Sequence, residues 1–173
     1  MGMTLCLLWL VPGGARGQAP EPNPEDVASV DGIVQAVYAA ISGPAGQPRD
    51  WNRFRSLMAP GARLIPTGQG PNGQIGHRVW TTEEYIAAAG PGLEQGGFFE
   101  QELGRAMDRY GPVVHLMSAY DSRRTAEDPE PFARGVNSFQ LLHDGTRWWV
   151  MTIFWAGETP DNPIPERLLR GGA

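Results

Sequence analysis

The 173-residue chain has no lysine: all fourteen of its basic residues are arginine. Without a lysine amine, lysine-anchored pyridoxal phosphate and lysine aldolase chemistry are closed to it. The glycine-rich segment 68–76 cannot be a phosphate-cradling P-loop, which needs Gly-Lys-Ser/Thr at the start of a helix. Cysteine is almost as scarce, and the single one, Cys6, lies close to the amino terminus. No Gly-x-Ser-x-Gly elbow occurs, because Gly135-Val136-Asn137-Ser138-Phe139 lacks the second glycine. Positive charge is short as well. The net charge of −5 speaks against a nucleic-acid partner or an anionic membrane surface. No apolar run approaches the roughly 20 residues that stable membrane insertion takes.

The residues that are present begin with an apolar stretch, Leu5-Cys6-Leu7-Leu8-Trp9-Leu10-Val11, followed by small residues at Ala15 and Gly17. This reads as a signal peptide over 1–17, cleaved near Gly17, and predicts a periplasmic or secreted protein without cysteine in its mature form. Residues 18–28, rich in Pro, Glu and Asn, read as a flexible leader. One domain is expected over 29–160 and a C-terminal tail over 161–173.

From Ser29 the apolar residues Val30, Ile33, Val34, Val37, Tyr38 and Ile41 recur at helical spacing. Asp50 can cap a second, short helix carrying Trp51, Phe54, Leu57 and Met58. Strands are expected at 62–67 and 77–80. Thr81-Thr82-Glu83-Glu84 forms a capping box for a third helix, ended by Gly90-Pro91-Gly92. Four further strands, near 98–109, 113–123, 132–142 and 147–157, make an antiparallel meander.

A three-residue turn at His143-Asp144-Gly145 would pair Leu142 with Thr146. Strand alternation then groups Asn137, Phe139 and Leu141 with Trp149, Met151, Ile153 and Trp155 on an inner face, with Trp148, Val150 and Phe154 outside. Phe99, Leu103 and Met107 fit the inner set with Val114, Leu116 and Tyr120. Glu100, Glu102 and His115 fall on the other side. The apolar outer residues predict a homodimer packed sheet to sheet, or coverage by the chain's own terminal segment.

The element order, with Asp50-Trp51-Asn52-Arg53-Phe54 before the first strand, Arg134-Gly135-Val136-Asn137-Ser138-Phe139-Gln140 before the hairpin and Asp144-Gly145-Thr146-Arg147-Trp148-Trp149 within it, resembles the nuclear-transport-factor-2-like superfamily. The likeness spans 29–157 and is strongest to its exported bacterial members. It implies an α+β, cone-shaped fold in which three N-terminal helices pack on a strongly curved, mainly antiparallel sheet of about six strands around a pocket. Ketosteroid isomerases, scytalone dehydratase and polyketide cyclases share that fold, so it does not by itself assign an activity. Against the isomerase pattern, Tyr38 and Trp155 fall at an oxyanion-binding tyrosine and a pocket aromatic. Ile65-Pro66 replaces the catalytic aspartate before proline, and Asn137 or Phe139 replaces a second acid.

The resulting expectation is an exported domain that binds a small apolar or mixed-polarity molecule, without cofactor or metal. Candidate ligand contacts are Tyr38, Trp51, Phe54, Ile65 and Phe99, with Tyr120, Asn137, Phe139 and Trp155. An alternative is an enzyme of the dehydratase, cyclase or hydrolase type in which His115 acts as base beside Glu100 or Glu102. A third reading is a ligand-free dimeric interaction module.

Overall fold

A computed structural model describes residues 20–170. The signal peptide expected at 1–17 lies outside the described residues. Helix α1 (Pro24–Val27) falls within the segment read as a leader, yet Asp26 is buried and ion-paired with Arg53 at 2.7 Å, and Val27 joins the core. Helix α2 (Val30–Ile41) starts at Ser29, whose hydroxyl accepts from the Gly32 amide at 2.9 Å. Its Ile33, Val34, Val37 and Ile41 are buried. Asp50 caps α3 (Trp51–Leu57) by accepting from the Arg53 amide at 2.9 Å.

Helix α4 (Thr82–Gly96) opens with the expected capping box between Thr81 and Glu84. It then continues past Gly90-Pro91-Gly92, where an end was expected. Tertiary ties outweigh the amide lost at Pro91. Leu93 packs on the core, and Glu94 accepts from the Arg49 amide at 3.1 Å and Trp51 Nε1 at 2.9 Å. A Cβ at Gly90 would lie 3.2 Å from Trp51 Cζ2, so glycine lets the helix close on that ring. Arg49 reinforces the junction. Buried, it donates to the carbonyls of Ile41, Gly43, Pro44, Gln47 and Leu93, joining the end of α2 to the end of α4.

Six strands form one sheet: β1 (Met58–Gln69), β2 (Ile75–His77), β3 (Phe99–Tyr110), β4 (Val113–Arg123), β5 (Ala133–His143) and β6 (Trp148–Gly157). Their order is β2-β1-β6-β5-β4-β3, with β1 and β6 parallel and every other pair antiparallel. The class is therefore α+β: N-terminal helices followed by a mixed, mostly antiparallel sheet. Helices α2 and α3 contribute Val34, Phe54 and Leu57 to a core shared with Leu116, Phe139 and Leu141 on the inner sheet face. Among the described residues no helix is long and apolar enough to cross a membrane.

Two bulges reverse part of the expected facing. Register shifts between Glu102 and Gly104, which turns Leu103 outward and places Glu102 opposite Tyr120 and Glu100 opposite Ser122, on the inner face. Phe99 accordingly leaves the inner set. The hairpin turn runs from Asp144 to Arg147, because the Asp144 carboxylate accepts from the Thr146 and Arg147 amides at 2.8 and 2.9 Å. Leu142 therefore pairs with Trp149, and a second shift, between Gln140 and Leu141, restores the expected phase beyond it. Phe139 with Ile153 and Asn137 with Trp155 face inward as expected. Trp148 and Val150, expected outside, are buried at 4% and 0% exposure, whereas Trp149 and Met151 turn away.

The segment read as a tail carries helix α5 (Glu166–Leu169). Ile164 and Leu168 bury against Ala119, Leu103, Ala106, Met117 and Val136, covering part of the outer face. A Cβ at Gly104 would lie 2.4 Å from the Leu168 carbonyl oxygen, so that glycine lets the segment lie flat on β3. Of the three apolar residues on which the dimer expectation rested, Phe154 alone remains exposed, at 45%.

Candidate functional site

Between the helices and the inner sheet face lies a cavity of about 360 Å³. Phe54 comes from α3, Tyr85 and Ala89 from α4, Leu64 and Pro66 from β1, and Ile153 and Trp155 from β6. The meander adds Glu100, Tyr120, Ser122, Asn137 and Phe139, while Phe98 and Phe132 close one side. Aromatic packing centres on Tyr85, whose ring stacks on Phe54 at 5.4 Å and meets Trp80 at 6.3 Å and Trp155 at 6.2 Å. Stacked and edge-on contacts of this kind favour particular ring orientations.

Five expected contacts, Phe54, Tyr120, Asn137, Phe139 and Trp155, come together around the cavity. The other four do not line it. Trp51 lies behind Phe54, at 5.8 Å, with its indole N–H given to Glu94. Ile65 pairs with Phe154, because the parallel register directs Leu64 and Pro66 inward. Phe99 is turned away by the Leu103 bulge, and its neighbour Phe98 takes the place at the wall. Tyr38 is buried one layer behind Asn137.

His115 is exposed on the outer face, where it bonds Ser138 Oγ at 3.1 Å. It is out of reach of the cavity and cannot serve there as the base proposed for an enzyme. Among the described residues no group of three His, Cys, Asp or Glu side chains is placed to hold a metal ion.

Glu100, expected on the opposite face, is instead the acid of the cavity. Ser122 Oγ donates to its Oε2 at 2.9 Å and Asn137 Nδ2 to its Oε1 at 3.4 Å. No arginine pairs with it among the described residues, unlike Asp26, Glu83, Glu102, Asp121 and Glu158, each held by a guanidinium. Burial pushes the Glu100 carboxyl up to about 7, against the two hydrogen bonds, and the Asp121 charge adds to the rise. Burial, with the Glu100 charge nearby, also raises the hydroxyls of Tyr85 and Tyr120 well above the ordinary tyrosine range. Both tyrosines stay neutral and can donate.

A continuous chain of hydrogen bonds leads away from the cavity. Asn137 Nδ2 reaches the Tyr38 hydroxyl at 3.1 Å, Tyr38 reaches Ser118 Oγ at 2.7 Å, and Ser118 donates to Glu102 Oε1 at 2.6 Å. Glu102 is held by Arg105, which also pairs with Asp31 at the surface at 2.8 Å. Because the single Ser118 proton goes to Glu102, Tyr38 must donate to Ser118 and accept from Asn137. Burial raises the Tyr38 hydroxyl far above its usual range.

By sequence, no protein-family model and no curated protein matches the chain. By structure it is similar to a protein of unknown function with a cystatin-like fold from Nostoc punctiforme, with a TM-score of 0.57, 13% identity, and 80% of this chain and 94% of that one covered. The chain has the nuclear-transport-factor-2-like fold. Other similar structures are a proposed ketosteroid isomerase from Shewanella frigidimarina (TM-score 0.49, 13% identity, 79% and 99% covered) and a nuclear transport factor 2 superfamily protein from Salmonella enterica (TM-score 0.49, 16% identity, 73% and 86% covered).

Within this nuclear-transport-factor-2-like fold, the Tyr38 proton is committed to Ser118, so Tyr38 does not offer the cavity the donor that the isomerase resemblance implied. The tyrosines that face the cavity are Tyr85 and Tyr120. Tyr85 could have been found by continuing the periodicity Tyr85, Ile86, Ala89, Leu93 through Pro91. Gly135 also carried a signal: a Cβ there would lie 2.5 Å from the Tyr120 hydroxyl, so the glycine in β5 marks where that ring crosses the strand.

Proposed function

We propose that this domain binds a small, mostly apolar molecule in the cavity, with one polar end against Glu100, Asn137 and Ser122. The observation that carries the reading is an aromatic-walled cavity with its polar groups gathered on one side, the usual build of a small-molecule site. Its volume of about 360 Å³ equals roughly a dozen water volumes of about 30 Å³ each, which suits a compact ligand of one or two rings. Apolar contact with Phe54, Phe139 and Trp155 supplies affinity, and the tyrosine hydroxyls orient the ligand.

Native mass spectrometry on protein isolated from its own host tests this. A stoichiometric small ligand is expected, lost in Trp155→Arg, which places a charged side chain in the cavity wall. A protein that is empty as isolated and takes up no small apolar compound refutes the reading.

A second reading is favoured by Glu100 itself: a carboxylate titrating near neutrality in an apolar site is suited to act as a general base. Turnover with a bell-shaped or sigmoidal pH profile, abolished in Glu100→Gln, would distinguish catalysis from binding. Export and self-association are parts of the same proposal. The mass of the mature protein recovered outside the cytoplasm reports cleavage near Gly17, and sedimentation of the wild type beside Phe154→Asp reports a dimer through the outer face.

A further inference from the structure

The structure assigns a chemical class to the polar end of the ligand: we infer that the cavity takes a small organic cation, an amine or quaternary ammonium on an apolar body, with Glu100 as its counter-charge. This rests on the binding reading above and deepens it.

The chain of hydrogen bonds starts at the protein surface, where Arg105 pairs with Asp31. Arg105 fixes Glu102 as an ionised acceptor, at 2.5 Å from Nη2 to Oε2. Ser118 therefore donates outward to Glu102, Tyr38 donates to Ser118, and the Tyr38 oxygen is left to accept. That requires the Asn137 side chain to present its NH₂ group, rather than its carbonyl, to Tyr38. The same NH₂ faces Glu100 Oε1, and Ser122 Oγ donates to Oε2. Donors thus address both carboxyl oxygens, and the polarity of the whole chain, set by Arg105 on β3, casts Glu100 as an acceptor. A neutral carboxylic acid would have to direct its own proton into this arrangement.

An ionised carboxylate in such a place calls for a cation, and the described residues supply none. The charged and titratable groups around Glu100 are Asp121 and Tyr120 on β4, Tyr38 on α2, Tyr85 on α4 and Glu102 on its own strand, which are neutral or acidic. Arg123 is occupied by Asp121, and Arg105 by Glu102 and Asp31. Arg124 has its guanidinium 4.0 Å over the Phe132 ring and a bond to the Gly97 carbonyl. Arg49 is spent on backbone carbonyls.

The aromatic walls complete the site. A sphere of about 360 Å³ has a radius of about 4.4 Å, so a cation inside lies near the roughly 6 Å reach of cation–π attraction from rings such as Tyr85, Tyr120, Phe98 and Trp155. Aromatic faces with one carboxylate are the combination that recognises ammonium groups. The carboxyl's titration near neutrality is consistent with an acid awaiting a partner.

The test compares benzyltrimethylammonium with its uncharged carbon isostere, 2,2-dimethylpropylbenzene, by tryptophan-fluorescence titration of the full protein from pH 5.5 to 8.5. Above pH 8 the ammonium is expected to bind at least about tenfold more tightly, although the isostere is the more hydrophobic. Because the probe's charge is permanent, its affinity should fall about tenfold per pH unit below 7, following the ionised fraction of Glu100. Glu100→Gln should abolish both the preference and the pH dependence while still binding the isostere.

Isostere binding equal to or tighter than that of the ammonium in the wild type overturns the inference and leaves the cavity reading standing. So does ammonium binding that is flat with pH, which needs no variant to be read. Failure of both probes overturns the inference too, and the native-host mass spectrometry then decides the cavity reading separately.

Discussion

Replacing Glu100 by glutamine should make the protein more stable at pH 8 and leave that gain absent at pH 4. Glutamine keeps the shape of the side chain and an acceptor oxygen for Ser122 or Asn137 but carries no charge to bury. In the unfolded chain the carboxyl titrates near 4.5, and in the folded protein near 7. Below pH 4 it is protonated in both states and contributes no pH-dependent cost. Between 4.5 and 7 the unfolded chain releases the proton that the folded protein keeps, so wild-type stability declines with rising pH through this window. Above 7 the full penalty applies. At about 1.4 kcal/mol per pKa unit it amounts to about 3 kcal/mol, an upper value because water in the cavity screens the charge.

Groups with depressed values, such as Asp26 beside Arg53, change stability in the opposite sense on acidification, so the informative quantity is the difference between variant and wild type. Thermal unfolding of both proteins at intervals from pH 4 to 8 measures it. At about 2–4 °C per kcal/mol for a chain of this size, the Tm difference should grow by about 6–12 °C across the range. A difference that stays constant with pH would refute the burial of an ionisable Glu100.

Arg49→Lys should cost about 3–5 kcal/mol in denaturant unfolding, since three ammonium protons cannot serve the five carbonyls that the guanidinium reaches, and buried acceptors are left unpaired. Gly135→Ala would bring a Cβ to 2.4 Å from the Ala156 carbonyl oxygen and 2.5 Å from the Tyr120 hydroxyl. A loss of about 1–3 kcal/mol is expected, with the Tyr120 ring pushed toward the cavity and ligand binding weakened beyond what stability alone explains. Deleting residues 164–173 removes Ile164 and Leu168 from the outer face; Tm should fall and dye binding to exposed apolar surface should rise.

The helices were legible because Ser29, Asp50 and the Thr81/Glu84 box announce their starts, and Ile33, Val34, Val37 and Ile41 hold one phase throughout α2. The six strands were legible from alternation and turn residues. What failed was phase across a bulge, since a bulge is one extra residue that leaves the alternation on each side intact. The bulge at Leu103 hid Glu100, the most informative residue of the site, on the wrong face. That at Met151 exchanged Trp148 and Val150 with Trp149 and Met151. Gly104 carried a trace of the first, as a glycine within a strand, but its meaning depends on α5, more than sixty residues later. The ends of the domain were missed for a different reason: short segments such as 24–27 and 164–169 have no periodicity to read, and they are ordered by the surfaces they cover.

The parallel contact of β1 with β6 has a consequence for how the cavity comes into being. Leu64 and Pro66 meet Ile153 and Trp155 across a sequence gap of nearly ninety residues, so one side of the cavity does not exist until the last strand of the sheet has been made and docked. Folding that depends on such distant partners is slow for its size. A ligand therefore meets a complete wall only once the chain from β1 to β6 is in place.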